Sequence, residues 1–406
     1  MPADRPRIQV LSPRTWGEFG NYLAATSFSR VLRTAVDAEV TLLEAEPILP
    51  WLGDAGQRIR TISLESPDAA TRTRRYMQLM SQLQDRFPAG FETDPTPAQT
   101  EALAPLTEHL RTTAPDVVVG TKGFVARLCV AAVRLAGTRT RVASHITNPG
   151  LLHLPLHRSA HPDLTLVGFP WAKEHLLAHE GGDPERIRVV GPLVAQHDLR
   201  DFLTDELAAP AAAPWGGDDD DPARPRLIVF CNRGGDTYLR LLEHIAERHP
   251  ATDLVFVGYD DPELARRAAR AAGASRLAHW RFHSRLTQAE YFDYITQASR
   301  SPHGLLISKA GPNTTLEAAY FGIPVLMLES GLPMEQWVPG LIHERGLGRA
   351  CDTPDELLTT VDDWLARPSE IEQHKKAAVE FAESVLDQQA VAARIGAAVQ
   401  SLLDAR

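Results

Sequence analysis

Short apolar runs alternate with helical patterns along almost the whole chain. In the first half, runs of strand length occur at Ile8–Leu11, Val40–Leu43, Val117–Val119, Val142–Ile146, Leu164–Val167 and Ile187–Val190. In the second half they occur at Leu227–Cys231, Leu254–Val257, Ala278–Phe282, Leu305–Ile307 and Val325–Leu328. Regular alternation of strands and helices predicts an α/β fold with parallel sheets. The remaining residues, 354–406, predict two or three further helices.

The two halves are separated by "AAPAAAPWGGDDDDP" at 208–222, which has no apolar period and is rich in Ala, Pro, Gly and Asp. Such composition is typical of a linker, and 406 residues exceed one ordinary core. We therefore predict an N-terminal domain over 1–205, a linker over 206–225 and a C-terminal domain over 226–406, whose last helix could pack back on the N-terminal domain. The aspartates lack the ligand spacing of a metal site.

Composition narrows the class of protein. Lys plus Arg is 42 and Asp plus Glu is 52, so the formal net charge of −10 argues against nucleic-acid binding. The three cysteines are far apart and fit neither a disulfide framework nor a zinc site, in agreement with a reducing cytosol. No signal peptide or membrane-spanning helix is visible, and the 15 histidines show no paired-ligand spacing. We expect a cytoplasmic protein without metal or cofactor.

The most informative stretch is "SKAGPNTTLEAAYFGIPVLML" at 308–328, which places a short helix, Thr314–Phe321, between two strands. Its loop lies at the carboxyl end of a parallel strand, where ligands of α/β sheets usually bind. Lys309, the turn at Gly311 and Pro312, and free N–H groups over Asn313–Thr315 would suit a pyrophosphate. Glu317, one helical turn further on, would accept hydrogen bonds from ribose hydroxyls.

A purely local role for the same residues stays open. Thr314 and Glu317 form the T-x-x-E pattern of a capping box, in which Glu317 would cap its own helix. A lysine just past a strand end, such as Lys309, is commonly a solvated side chain.

The first strand of each half is followed by a glycine-containing loop. In the second half this loop is "NRGGDTY", in which Gly234 and Gly235 would let the backbone approach a phosphate, or would simply form a tight turn. In the first half it is "WGEFGNY", which lacks the G-x-G-x-x-G spacing of a dinucleotide site. The sequence therefore gives no support for NAD.

The order K-A-G-P-x-T-x-x-E-A, followed by G-I-P-V, resembles the donor-binding segment of a family of GT-B glycosyltransferases. That family includes monogalactosyldiacylglycerol synthase, bacterial diacylglycerol glucosyltransferases and the N-acetylglucosaminyltransferase that makes lipid II. A second resemblance runs from Thr147–Asn148 through Trp171 to "PERIRVVGPLV" at 184–194. The strong resemblance covers 305–337, and a weak one covers most of the chain.

This resemblance implies a GT-B fold of two Rossmann-like domains that face a central cleft. The C-terminal domain would bind a nucleotide-sugar, usually a UDP-sugar, and the N-terminal domain an acceptor, with inverting transfer and no bound metal. Glu317 would contact the ribose, Glu335 and Gln336 the sugar, and Phe282 and His283 the base. The expected activity is hexosyl transfer to a hydroxyl or amine of a small molecule, a natural product or a lipid.

The pattern departs from the family where a catalytic base is needed. The lipid-acting relatives carry a G-G-G-H-type loop, whereas this chain has Gly17, Gly20 and Asn21, and their T-D pair is replaced by Thr147-Asn148. Asparagine cannot remove a proton near neutral pH, so the nearest titratable candidates are Glu18 and His153. Either could instead be an ordinary solvated side chain.

Two alternatives keep the fold but change the activity. The chain could be a nucleotide-sugar epimerase or hydrolase, or a non-catalytic protein that binds a nucleotide-sugar. Residues 72–87, "RTRRYMQLMSQLQDRF", predict an amphipathic helix. Its apolar face would pack on the core, with the arginines outside, or would make peripheral contact with an anionic membrane.

Overall fold

The computed structural model describes residues 5–16, 20–66, 68–194, 224–231, 235–258, 262–273, 277, 279–284, 286–309, 311–328 and 332–405. The chain divides into two compact units. The first comprises residues 1–197, 331–334 and 386–406, and the second comprises 198–330 and 335–385. The predicted linker lies outside the described residues except for Arg224 and Pro225.

The first unit is built on a parallel six-stranded sheet with the strand order β2-β1-β3-β4-β5-β6. The strands are β1 (Arg7–Ser12), β2 (Glu39–Glu44), β3 (Val117–Gly120), β4 (Arg141–Ile146), β5 (Leu164–Val167) and β6 (Ile187–Val189). Its helices are α1 (Gly20–Ala35), α2 (Pro50–Glu65), α3 (Ala69–Arg86), α4 (Pro97–Thr113), α5 (Gly123–Ala136) and α6 (Pro170–Glu180). The strands are nearly continuous apolar runs because helices cover both faces of the sheet.

The second unit is built on another parallel six-stranded sheet, with the strand order β12-β11-β10-β7-β8-β9. The strands are β7 (Arg226–Phe230), β8 (Asp253–Val257), β9 (His279–His283), β10 (Gly304–Lys309), β11 (Val325–Leu328) and β12 (Gly348–Cys351). Its helices are α7 (Gly235–Arg248), α8 (Pro262–Ala271), α9 (Gln288–Arg300), α10 (Pro312–Tyr320), α11 (Trp337–Arg345), α12 (Pro354–Ala366) and α13 (Pro368–Val385).

The last helix, α14 (Gln388–Asp404), belongs to the first unit. Its apolar face, which includes Val391, Ile395 and Val399, lies in one core cluster with Ile8 and Phe28. The Gln388 amide fixes the start of this helix, since its Oε1 accepts from Val194 N at 2.9 Å and its Nε2 donates to the Pro192 carbonyl at 3.2 Å.

The predicted α/β fold of the GT-B type, with two Rossmann-like sheets, is confirmed. Every predicted strand is present with its ends shifted by one or two residues at most, and the tail forms three helices, α12, α13 and α14. The sequence analysis missed β12, whose sequence Gly-Arg-Ala-Cys contains no apolar run. This short edge strand pairs with β11 through the backbone, which does not depend on side-chain pattern.

Helix α3 confirms the amphipathic pattern at 72–87. Its apolar side chains Tyr76, Leu79, Met80 and Leu83 are buried in the core of the first unit, and Met77 is exposed. The helix therefore packs on the core, as the first of the two alternatives states, and its apolar face is not available for membrane contact. Among the described helices, none combines the length and the apolar character needed to cross a bilayer.

Candidate functional site

The segment 308–328 lies where the strand order of the second sheet reverses. From β7 the chain proceeds outward through β8 and β9, and then returns to place β10 on the other side of β7. Leu305 of β10 is in register with Leu227 of β7. In open α/β sheets, ligands bind beside the carboxyl ends of the strands at such a reversal. We therefore expect a ligand-binding site at the carboxyl ends of β7 and β10.

Helix α10 begins at Pro312, two residues earlier than the sequence predicted. Gly311 is the N-cap residue and makes no side-chain cap. The prediction of a capping box formed by Thr314 and Glu317 is therefore wrong, because both residues lie inside the helix. The helix begins earlier than predicted because Pro312 suits its first position. The Thr315 N–H donates to the Gly311 carbonyl at 3.0 Å. Thr315 is therefore not one of the free N–H donors that the sequence predicted over 313–315.

Gly311 has a φ of −87°, which any residue adopts without strain. A Cβ built there would find its nearest contacts at 3.7 Å from Thr314 Oγ1 and 3.9 Å from Lys309 Cε. The local fold thus has space for a side chain at this position. Neither the backbone nor the packing therefore requires a glycine at this position, and glycine is among the preferred N-cap residues.

Glu317 is a buried carboxyl group with one neutral partner. The Tyr291 hydroxyl, from α9, donates to its Oε2 at 2.9 Å, and the Tyr291 ring lies edge-on to Phe230 at the end of β7. Burial raises the pKa of Glu317 to about 8, against the opposing effect of the Tyr291 hydrogen bond. Carboxyl groups with a pKa raised by burial are found more often at ligand sites than elsewhere, which makes Glu317 a candidate site residue.

Lys309 and Glu335 form an ion pair inside the second unit. Lys309 Nζ donates to Glu335 Oε1 at 3.0 Å, and the side chains are 23% and 9% exposed. The lysine is thus oriented by a carboxylate, rather than being a solvated side chain at the strand end. Gln336, next along the chain, is exposed.

Phe282 and His283 end β9, two strands away from β7. The Phe282 ring stacks on Phe256 with the ring centroids 6.2 Å apart, and His283 Nε2 lies 2.9 Å from the Tyr294 hydroxyl. Burial lowers the pKa of His283, an effect that Glu290 opposes and Arg281 reinforces. Gly235 begins α7 beside β7, whereas Gly234 lies outside the described residues.

In the first unit, the structure brings together several of the residues predicted to lie on the acceptor side. Gly20 begins α1, and Asn21 Nδ2 donates to the Trp16 carbonyl at 2.6 Å. The Thr147 hydroxyl donates to Asn21 Oδ1 at 3.3 Å, so the two segments that depart from the family pattern are neighbours. Asn148 accepts from the Gly150 N–H at 3.0 Å and caps the short 3₁₀ turn Pro149–His153.

Of the two candidate bases, His153 lies within the described residues. Gly17 and Glu18 lie outside the described residues. His153 is exposed, and its ring packs against that of His175 with the centroids 4.9 Å apart. His175 in turn stacks on His179 at 4.1 Å. No group of three or more His, Cys, Asp or Glu side chains within the described ranges has the arrangement of a metal site.

The sequence analysis did not single out Lys122, which lies at the reversal of strand order in the first sheet, between β1 and β3. Its amine is 5.3 Å from the centroid of the Trp16 ring, and the residue is 5% exposed. Burial lowers the pKa of Lys122 to about 7, an effect that Glu46 opposes. The available signal was a lysine close to the carboxyl end of a predicted strand, which is the same signal that Lys309 gives.

Comparison with known proteins identifies the fold and no closer relationship. No protein-family model matches the chain, and no curated protein matches it. Solved structures do match along the whole length. UDP-GlcNAc 2-epimerase from Neisseria meningitidis bound to UDP-GlcNAc shares 12% identity, with a TM-score of 0.62 over 99% of this chain and 100% of that chain.

Two further solved structures match at comparable identity. A UDP-glucosyltransferase from Polygonum tinctorium, capable of glucosylating indoxyl, shares 13% identity, with a TM-score of 0.61 over 100% of both chains. MurG of Acinetobacter baumannii shares 13% identity, with a TM-score of 0.55 over 95% of this chain and 98% of that chain. Identities this low establish the shared fold alone.

Proposed function

We propose that the protein is an enzyme that acts on a nucleoside-diphosphate sugar, with UDP as the favoured nucleotide, bound on the second unit. The observation that carries the proposal is the buried carboxyl of Glu317, which Tyr291 holds beside the reversal of strand order. In its ionised form Glu317 would accept hydrogen bonds from the ribose hydroxyls. Phe282 and His283 would contact the base, and the sugar would lie near Glu335 and Gln336.

The diphosphate would lie against the first turn of α10. A helix N-terminus favours phosphate through its N–H groups and its dipole, and Gly311 leaves space for a close approach. Lys309 has three N–H donors, of which one is directed to Glu335, so the others would contact the phosphate oxygens. Gly235, the first residue of α7, would contribute a backbone contact, and the proposal extends to its sequence neighbour Gly234.

The reaction that we propose is inverting glycosyl transfer without a metal ion. The acceptor oxygen or nitrogen would attack the anomeric carbon while a base removes its proton, and the diphosphate would depart with the bonding electrons. Lys309 and the N-terminus of α10 would stabilise that leaving group. Glu18 and His153 are the proposed bases, and Asn21 and Asn148 would line the acceptor side of the first unit.

We favour a small-molecule or natural-product acceptor over a lipid, and a cytoplasmic location. A lipid acceptor loses one line of support because the apolar face of α3 is buried in the core. The second candidate function is epimerisation or hydrolysis of the nucleotide-sugar, which the similarity to a UDP-GlcNAc 2-epimerase favours.

Calorimetric titration with UDP, TDP, GDP and ADP, without added metal, tests the proposal. We expect micromolar binding of UDP and weaker binding of the others, and binding of none would contradict the proposal. Incubation of the corresponding nucleotide-sugar without an acceptor then separates the reactions. An epimerase changes the sugar and a hydrolase releases it, whereas a transferase leaves most of it intact until an acceptor is added.

Binding of a nucleotide-sugar is expected to strengthen as the pH rises toward about 8 and then to level off. The ribose hydroxyls need the ionised carboxylate, whereas burial keeps the pKa of Glu317 in the free protein at about 8. Below that pH the ligand must displace a proton, which costs up to about tenfold in affinity per pH unit. The nucleotide-sugar is the suitable probe because its diphosphate does not titrate in this range. Glu317→Gln should remove most of the pH dependence, and an unchanged profile in that variant would refute the linkage.

A further inference from the structure

Lysine is rare in this chain, which has 37 arginines and five lysines. Two of the five lysines occupy equivalent places in the two sheets. Lys309 ends β10 and Lys122 lies two residues beyond β3, and each of these strands pairs with the first strand of its sheet, where the strand order reverses. Glu335 binds Lys309 at 3.0 Å. Among the described residues Lys122 has no comparable partner, which leaves its charge without an ion pair.

The Lys122 side chain is 5% exposed, and it makes neither a hydrogen bond nor an ion pair with the part of the chain that the structure describes. Its amine lies 5.3 Å from the centroid of the Trp16 ring. Glu46 acts on the amine through its charge but is not bonded to it, and Glu46 Oε1 accepts from the N–H and the hydroxyl of Thr15, both at 2.7 Å. The three N–H donors of a protonated amine therefore remain available, which is unfavourable for a buried cation.

The backbone donors that follow Lys122 are also unpaired. Lys122 is the N-cap residue of the 14-residue helix α5, and its carbonyl accepts from the Ala126 N–H at 2.9 Å. The N–H groups of residues 123–125 have no acceptor within the described ranges, although all three residues are buried. A Cβ at Gly123 would overlap the His157 carbonyl, so packing fixes this end of the helix. The start of α5 thus offers free donors and the positive end of a helix dipole beside an unpaired amine.

The place is open to solvent and borders the residues predicted to lie on the acceptor side. The Lys122 amine is buried but not fully enclosed, so it still meets solvent. The Thr147 hydroxyl lies 3.3 Å from the carbonyl of Thr121, which precedes Lys122, and 3.3 Å from Asn21 Oδ1. Asn21 in turn donates to the carbonyl of Trp16, whose ring faces the Lys122 amine. Lys122 therefore belongs to the same group of side chains as Asn21 and Thr147.

An oxyanion fits these donors, because it supplies the missing negative charge and several acceptor oxygens, whereas a neutral hydroxyl leaves the charge uncompensated. We propose that Lys122 and the first turn of α5 bind an oxyanion, a carboxylate or a phosphate, that the acceptor carries. This inference rests on the proposed function, and it narrows the acceptor to an acid that also bears the hydroxyl or amine to be glycosylated. The charge of Glu46 opposes a second negative charge on the ligand, so a carboxylate should bind more tightly than a phosphate dianion.

Competitive labelling of amines with a trace of acetic anhydride, read by peptide mass spectrometry, tests the site in the full-length wild type. The probes are acetate and inorganic phosphate, added at pH 7 and at constant ionic strength. Burial holds the pKa of Lys122 at about 7 in the free protein, and an anion that raises this pKa by one unit lowers the unprotonated fraction about fivefold. We therefore expect millimolar acetate to slow the labelling of Lys122 about fivefold or more. Lys173, which donates to the Pro184 carbonyl in the same unit, is the internal control and should change less than about twofold.

A pair of variants provides a second measurement. Lys122→Met keeps an unbranched apolar side chain and removes the amine, and Lys173→Met is the matched control. Because an ion that binds only the folded state stabilises it, acetate should raise the unfolding temperature of the first unit in the wild type and in Lys173→Met. The same addition should have little effect in Lys122→Met.

Four outcomes would overturn the inference. Labelling of Lys122 that does not respond to either anion, or that responds no more than Lys173, would exclude the site. An equal effect of acetate on the unfolding temperature of both variants would also exclude it. Protection by micromolar phosphate would identify a site for the free ion and would overturn the assignment to the acceptor, as would loss of UDP binding in Lys122→Met. If the wild type binds no nucleotide while acetate still protects Lys122, the proposed function fails and the anion site itself stands.

Discussion

Arg127→Leu is expected to lower the free energy of unfolding of the first unit by about 3–5 kcal/mol, because it leaves a buried carboxylate without its partner. Arg127, in α5, and Glu92, after α3, are each 2% exposed and are joined by bonds of 2.6 and 3.0 Å. The guanidinium also donates to the Pro88 carbonyl at 2.8 Å and to the Leu156 carbonyl at 3.2 Å. It therefore ties α5 to two separate loops.

Hydrogen exchange of peptides from α5, measured at increasing urea concentrations, reports the unfolding of the first unit separately from that of the second. Arg188→Ala is the control, because its ion pair with Glu185 is exposed, and we expect a change below about 1 kcal/mol. The double variant Glu92→Leu/Arg127→Leu should be less destabilised than the sum of the two single variants, since it removes both charges. If Arg127→Leu lowers the free energy of unfolding by less than about 1 kcal/mol, water reaches the Glu92 carboxylate and the ion pair does not hold α5 to the neighbouring loops.

Glu317→Ala is expected to weaken nucleotide binding by about 1–3 kcal/mol, roughly fivefold to 150-fold in dissociation constant. The loss arises because the ribose hydroxyls would no longer have a carboxylate acceptor. The fold should survive, since the buried carboxyl has a raised pKa and is itself unfavourable to the folded state above the usual pKa of a glutamate. Calorimetric titration with the tightest-binding nucleoside diphosphate measures the effect.

Glu344→Ala provides the control for this substitution. Glu344 is an exposed glutamate in α11 of the same unit, so its loss should leave the affinity unchanged. Tyr291→Phe should cause a smaller loss than Glu317→Ala, because it removes the hydroxyl that orients the carboxylate and leaves the acceptor in place. Equal affinity in wild type and Glu317→Ala would exclude the ribose contact and would leave Glu317 as a buried helical residue with a tyrosine partner.

The strands could be predicted because helices cover both faces of each sheet, which gives every central strand an apolar run. β12 lacked that signal, because its sequence has no apolar run and the strand is held by backbone pairing with β11. The start of α10 was misplaced because the T-x-x-E pattern competes with Pro312, whose fixed φ already suits a first helical position.

The candidate site residues could be grouped from the sequence only where they are close together along the chain. Lys309, Gly311 and Glu317 follow one strand and were recognised as a group. The Tyr291–Glu317 bond spans 26 residues, and the Arg127–Glu92 bond spans 35. Such pairs depend on which helices become neighbours, and a local pattern carries no information about that. The missing partner of the buried Lys122 amine was equally invisible, because burial without a partner among the described residues is a property of the packed unit.

The return of α14 to the first unit has a consequence for synthesis on the ribosome. Helix α14 supplies Val391, Ile395 and Val399 to the core around Ile8 and Phe28, and Arg394 Nε donates to the Val190 carbonyl at 2.8 Å. A growing chain that has released only its first 200 or so residues lacks these partners, so the part of this core that α14 covers stays exposed to solvent. The second unit, whose residues form one nearly continuous stretch, can close its core earlier. The half of the protein that is translated first is therefore the half that finishes folding last, and it is the half that would depend on chaperones during translation.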